Sequence, residues 1–114
     1  MGAGGVERAP QSPFFALTEW RFQMPFMLGV FDTGDYDKWR QMFDSDPAGR
    51  KQSATKHRVF RGVDNPNEVF VSLEFPSMDE AKAFRERLLA SGALDNVTLE
   101  KEPTLAELVD EVTY

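Results

Sequence analysis

The stretch "HRVFRGVDNPNEVFVSLEF", His57 to Phe75, alternates apolar and polar positions on either side of Asp64-Asn65-Pro66-Asn67. That run is dense in turn-forming residues, so the pattern predicts two strands, roughly 54–62 and 68–75, joined as a hairpin. Phe60, Val69, Val71, Leu73 and Phe75 are expected on one face, and His57, Arg61, Ser72 and Glu74 on the other. Upstream, "MPFMLGVFD" (24–32) is a short apolar run stopped by Thr33-Gly34, which predicts the first strand. Asp35 is placed to cap a helix from Tyr36, where Tyr36, Trp39 and Phe43 form an apolar stripe. Asp46-Pro47 interrupts that stripe, and 47–52 reads as a second, short helical piece.

Downstream, Ser77 with Glu80 three residues on is a capping box. It opens a helix whose Ala81, Phe84 and Leu88 share a face and which ends near Ser91-Gly92. "NVTLEKE" (96–102) predicts a fourth strand. Thr104 and Glu107 repeat the capping-box spacing, so a terminal helix through Leu105, Leu108, Val109 and Val112 is expected. The order is β-α-β-β-α-β plus that helix. Right-handed crossovers fold such an order into a four-stranded antiparallel sheet with two helices on one face. The opposite face, bearing Val59 and Phe70, has no element left to cover it except the N-terminal arm, and reads as a natural dimer surface.

A four-residue turn at 64–67 sets His57 opposite Glu74, Val59 opposite Ser72 and Arg61 opposite Phe70, and cross-strand partners point to the same side. Two readings follow. In one, His57 is a general acid/base oriented by Glu74, with Arg61 or Ser72 holding a substrate oxygen. In the other, the imidazole and carboxylate are a stabilising pair on a wet surface. An odd-length loop removes the basis for both. Trp39, Tyr36 and Phe43, with Phe26, Met27 and Phe31 on the first strand, serve either as core or as an aromatic pocket wall. Lys56 and Arg58 fall on the apolar face by parity and are expected at its margin. Asp32, Asp35 and Asp37 read as helix-capping and dipole-compensating groups rather than a metal site.

Composition narrows the chemistry. The chain has 114 residues, 41% hydrophobic and 12% aromatic, enough for one domain. Its net charge of −6 disfavours a nucleic-acid partner. There is no cysteine and only one histidine, which excludes disulfides, thiolate nucleophiles, Cys-ligated zinc and a His-rich metal site within one chain. No apolar run has the length of a membrane span, and no secretory signal pattern is present, so a cytoplasmic protein is expected. Residues 1–12 read as a Gly/Ala/Pro/Ser tail and 13–23 as an aromatic arm. Together they form an N-terminal extension, 1–23, ahead of a single domain over 24–114. "GAGG" near the start lacks the Lys-Ser/Thr of a phosphate loop.

"DYDKWRQMF" (35–43), the hairpin 57–75 and "SMDEAKAF" (77–84) together resemble the dimeric α+β barrel superfamily, over roughly residues 24–102. That superfamily has a ferredoxin-like fold and includes antibiotic-biosynthesis monooxygenases and aromatic polyketide cyclases. The resemblance implies a homodimer with a ligand chamber, either between the sheet and helices of each subunit or within the joined barrel. It does not fix the reaction. The Asn, Trp and His set of the haem-degrading members is not matched, and strand 1 lacks the Asn expected of the cofactor-free oxygenases.

The expectation that results is a cofactor-independent cyclase, dehydratase or isomerase acting on an aromatic or polyketide-like substrate. A cofactor-free monooxygenase and a non-catalytic ligand-binding dimer are the alternatives. His57, Glu74 and Arg61 are the candidate catalytic residues, with Arg61 at a developing enolate. Ser72, Phe70, Val59, Trp39, Phe31 and Phe43 are the candidate substrate contacts. No cofactor, metal, nucleic acid or membrane partner is expected.

Overall fold

The computed structural model describes residues 25–114. The expected tail and aromatic arm, 1–23, lie outside the described residues. Residues 25–106 form a compact unit built from β1 (Pro25–Asp32), α1 (Tyr36–Ser45), a single-turn α2 (Arg50–Ser53), β2 (Lys56–Arg61), β3 (Glu68–Glu74), α3 (Met78–Ala90) and β4 (Thr98–Glu107). The strands form one sheet in the order β2-β3-β1-β4, with β3 antiparallel to both β1 and β2. This is the ferredoxin-like α+β arrangement expected from the element order. Among the described residues no helix is long and apolar enough to cross a membrane.

Local chemistry starts both long helices where the sequence indicates. Asp35 is extended, and its carboxylate accepts from the Lys38 N–H at 3.2 Å, capping α1. Ser77 Oγ accepts from the Glu80 N–H at 3.1 Å, capping α3. Each helix lays its apolar stripe on the sheet: Trp39 and Phe43 from α1, Ala81 and Phe84 from α3 are buried. They pack on Met27 and Phe31 of β1, on Val69 and Leu73 of β3, and on Phe75 just beyond it.

Two expectations are corrected. The first concerns register. β2 and β3 pair as Lys56↔Glu74, His57↔Leu73, Val59↔Val71, Phe60↔Phe70 and Arg61↔Val69. Gly62 donates to the Glu68 carbonyl at 2.8 Å, so 63–67 is an odd loop and the pairing expected from a four-residue turn is shifted by one. Since side chains alternate, that shift turns all of β2 over. His57, Val59 and Arg61 face the helices. Lys56, Arg58 and Phe60 face away, with Phe60 55% exposed. Phe60 is therefore not core, and Val59 is not on the open face. Lys56 and Arg58 are not on the apolar one.

The second correction is at the C-terminus. The 104–107 segment continues β4, and 108–114 contain no helix. Thr104 Oγ1 donates to the Glu102 carbonyl at 2.7 Å instead of capping. Leu105 packs against the buried cluster of Met27, Leu73 and Phe84. A short isolated helix is marginal in water, whereas a strand beside β1 satisfies its backbone and buries Leu105. Pro103 is tolerated mid-strand because β4 is an edge among the described strands.

Trp39 stacks on Phe43 (centroids 4.9 Å apart) and meets Phe31 edge-on at 5.6 Å. Trp39→Ala is expected to lower unfolding free energy by about 3–5 kcal/mol in a urea titration. A loss under about 1 kcal/mol would remove Trp39 from the core.

Candidate functional site

The buried apolar residues fall into two groups. One contains Met27, Ala48, Leu73, Phe75, Ala81 and Phe84. The other contains Phe31, Trp39, Phe43 and Val69. Between them lies a cavity of about 70 Å³ that opens to solvent. Its wall takes residues from both groups, with Met42 of α1, Leu88 of α3 and Pro103 of β4. The cause is visible in β1. Met27 and Phe31 point at the helices, and the position between them on the same face is Gly29. A Cβ built at Gly29 would meet nothing closer than the Phe31 ring at 3.8 Å. There is room for a side chain, and the sequence supplies none.

Among the described residues, Asp46 and Arg50 are the ionisable ones that line this cavity. Asp46 ends α1 in the left-handed region (φ 59°), a conformation Asp adopts more readily than most residues. Its carboxylate then accepts from the N–H groups of Arg50 (2.6 Å) and Lys51 (3.0 Å), starting α2. Burial raises the pKa of this carboxyl, but those two hydrogen bonds and the Arg50 charge outweigh it and hold it below its ordinary value. Arg50 is 5% exposed. Its Nη1 donates to the Phe43 carbonyl at 3.0 Å, at the C-terminal end of α1, where a cation is favoured. The guanidinium lies over the Phe43 ring at 3.7 Å, and Nη1 is 3.7 Å from Asp46 Oδ1. Arg87 of α3 steadies this corner by donating to the Ala48 carbonyl (3.0 Å) and to Ser53 Oγ. Arg50 Nε is buried and has no partner among the described residues. A buried donor left unmade costs about 1–3 kcal/mol.

The expected site residues separate into three places. Trp39, Phe31 and Phe43 belong to the buried core and also line the cavity. Ser72, Phe70 and Glu74 point to the opposite face of the sheet, where Glu74 lies between Lys56 and Phe26. They do not meet the cavity. His57, Val59 and Arg61 lie on the helix side but do not line the cavity. The His57–Glu74 pair is thus absent: the two side chains are on opposite faces of the sheet. Arg61 is engaged at the hairpin end, donating from Nε to the Pro66 carbonyl at 2.9 Å and lying 3.8 Å over the Tyr36 ring. His57 sits edge-on to Phe43 at 5.3 Å. Burial, followed by the charges of Arg50 and Arg40, lowers its pKa below the ordinary value, with Asp44 opposing.

Sequence reasoning missed Gly29, Asp46 and Arg50. A glycine inside an apolar strand run was the available signal for the first. The Asp46–Arg50 spacing of four was a weak one for the other two.

No family model matches the sequence, and no curated protein matches it. Solved structures do. The cofactor-independent oxygenase SnoaB of Streptomyces nogalater, in a single-residue variant, is 17% identical, with a TM-score of 0.56 over 80% of this chain and 96% of that one. A proposed antibiotic biosynthesis monooxygenase from Chloroflexus aurantiacus is 11% identical (TM-score 0.55; 79% of this chain, 97% of that one). Another from Nitrosomonas europaea is 10% identical (TM-score 0.55; 75% and 88%). The chain has the fold of these proteins. At such identity the likeness carries the fold and not the activity.

The NMR titration midpoint of His57 is expected below about 6.5. It should rise in Arg50→Met and stay put in Glu74→Gln; a response to Glu74→Gln would restore the pair. The folded state resists protonating His57 more than the unfolded chain does. This group's contribution to stability is therefore present above about pH 6.5 and lost as pH falls from there through the folded value.

Proposed function

We infer that the protein is a cofactor-independent small-molecule enzyme that binds an enolisable aromatic or polyketide-like compound in the helix–sheet cavity. The observation that carries this reading is Gly29. A chain selected only for stability fills such a position, since each unfilled methyl-sized void costs about 1 kcal/mol. Here the space is bounded by Phe31, Trp39, Phe43 and Met42, surfaces suited to a planar ring. A single ring lodges inside and the rest of the ligand extends through the mouth. Asp46 is held ionised by N–H donors and His57 stands outside the wall, so the substrate's acidic C–H proton passes to water at the mouth. This favours substrates whose own C–H is acidic, and reactions that begin from an enolate: cyclisation, isomerisation or, as the second reading, oxygenation. The oxygenase reading is supported by the shared fold with SnoaB, itself a cofactor-independent oxygenase. In that reading an anthrone CH₂ and one O₂ become a quinone C=O and one water.

The test separates these readings. α-Tetralone in D₂O reports enolisation by deuterium uptake, and 1,8-dihydroxyanthrone reports oxygenation by oxygen consumption. Wild type is expected to accelerate deuterium uptake. Gly29→Val, which fills the cavity, is expected to abolish that acceleration while raising the melting temperature. Oxygen consumption with the anthrone would select the oxygenase. Binding of both compounds with neither reaction would reduce the protein to a ligand-binding module.

The reading includes a homodimer through the open face of the sheet. Phe26, Leu28, Val30, Phe60 and Phe70 lie together there, with Leu28, Phe60 and Phe70 exposed, an apolar patch suited to a second copy. Light scattering is expected to give a dimer for wild type and a monomer for Phe70→Glu. A wild-type monomer at high micromolar concentration would exclude the dimer.

A further inference from the structure

We propose that the groove between α1 and the 92–97 segment is the outer half of the ligand site. The ligand that fits both halves is an aromatic compound with one end free of oxygen, seated in the cavity, and carbonyl or hydroxyl oxygens at the other, seated in the groove. The inference deepens the proposed function and rests on the cavity being the ligand site. The two spaces differ in chemistry and share a wall. The cavity is dry: Asp46 and Arg50 border it but turn almost no polar surface into it, and Arg50 Nε is fully buried. The groove is about 780 Å³, open to solvent, and lined by charged, amide and hydroxyl groups as well as apolar ones. Trp39, Met42 and Ala93 line both.

The helical period explains the near side of the groove. Lys38, Gln41 and Ser45 recur at i, i+3 and i+7 on α1, one stripe beside Met42. The far side is the segment after α3. There the Ala93 N–H donates to Ser91 Oγ at 3.2 Å and the Asp95 N–H to the Gly92 carbonyl at 3.1 Å, turns that hold Asn96 at the groove. Val97 packs on the group containing Trp39, which anchors the segment to the core. Three of the polar groups are already engaged. Asp35 caps α1, the Thr33 hydroxyl donates to the Asn67 carbonyl, and Ser45 Oγ donates to the Met42 carbonyl. Lys38, Gln41 and Asn96 remain, all exposed. They supply an ammonium donor and two amides, which donate to a carbonyl and accept from a hydroxyl. A ligand oxygen pushed into the cavity instead loses its water and gains no partner. The contrast orients the ligand ring first. Met42 stands between the two spaces, and its unbranched thioether adjusts to a ligand that passes from one to the other.

The experiment titrates three single-ring probes into the full chain by NMR: 1-ethyl-4-fluorobenzene, 3-(4-fluorophenyl)propanamide and 3-(4-hydroxyphenyl)propanamide. The first should move the methyl signals of Met27 and Leu73 and leave the side-chain amide signals of Gln41 and Asn96 in place. The second should move both sets. The third is nearly isosteric with the second but carries oxygen at both ends, and is expected to bind about tenfold more weakly. In the Gln41→Ala/Asn96→Ala double variant, affinity for the fluorinated amide should fall about fivefold or more, with ethylfluorobenzene within about twofold of wild type. Both positions are exposed, so the variant keeps its core. Unmoved Gln41 and Asn96 signals at saturating fluorinated amide would overturn the outer half and leave the cavity reading standing. Equal affinity for the hydroxyl and fluoro amides would overturn the ring-first orientation. An equal loss for both fluorinated probes in the double variant would make the two residues structural and overturn their role. Failure of 1-ethyl-4-fluorobenzene to bind wild type would overturn the cavity reading and this inference with it.

Discussion

The loop between β2 and β3 governs which face of the sheet each β2 side chain joins. Asn65 and Asn67 tie it to the far end of β1 and the start of α1. The Thr33 N–H and hydroxyl both donate to the Asn67 carbonyl at 2.8 Å. Asn67 Oδ1 accepts from the Tyr36 N–H at 3.2 Å, and its Nδ2 donates to the Gly34 carbonyl at 3.1 Å. Asn65 Nδ2 donates to Asp32 at 3.0 Å. Within the loop, the Glu68 N–H reaches the Asn65 carbonyl at 3.0 Å. A side chain at Gly62 would lie 2.6 Å from that same carbonyl oxygen, so only glycine fits. The loop is pinned at both ends, and the hairpin has one register. The α1 start is fixed by the same asparagine, which places Trp39 and Phe43 over the sheet and Arg50 behind them.

How legible the chain was follows from how strongly each segment marks its faces. β3 carries Val69, Val71 and Leu73 at alternate positions, and its core face was read correctly. β2 carries one apolar residue on each face, Val59 and Phe60, so its orientation depended wholly on loop length. The four turn-forming residues suggested an even loop. Gly62, the one residue that marks the close backbone approach, was not weighed. The helix starts were legible because Asp35 and Ser77 cap through purely local bonds. The end of the chain was not: Thr104 and Glu107 carry a genuine local helix signal that pairing with β1 and the burial of Leu105 override. Helical spacing placed Trp39 and Phe43 on the buried face of α1, where they belong to the core. The polar corner of the cavity could not be anticipated, since Asp46 and Arg50 gain their roles only once α1 ends in a left-handed turn.

The cavity and its corner express two departures from what stability alone selects. One is an empty position, Gly29, in the middle of the best-packed face of β1. The other is a buried cation, Arg50, whose Nε has no hydrogen-bond partner among the described residues. Each weakens the fold, and they occur at the same place. Elsewhere the core agrees with its sequence pattern: large side chains at alternate strand positions, helical stripes facing them, caps satisfied. Local conflict with an otherwise consistent pattern is where function is expected to reside.

The sheet's two outer strands carry a further implication. Among the described strands, β2 is an edge studded with Lys56, Arg58 and Arg61, and β4 is an edge with Glu100, Lys101, Glu102 and then Pro103, which has no N–H to offer. An incoming strand must desolvate charges along either border and forfeit a ladder bond at the proline. Sideways growth of one sheet onto the next, the route to filaments, is thereby discouraged.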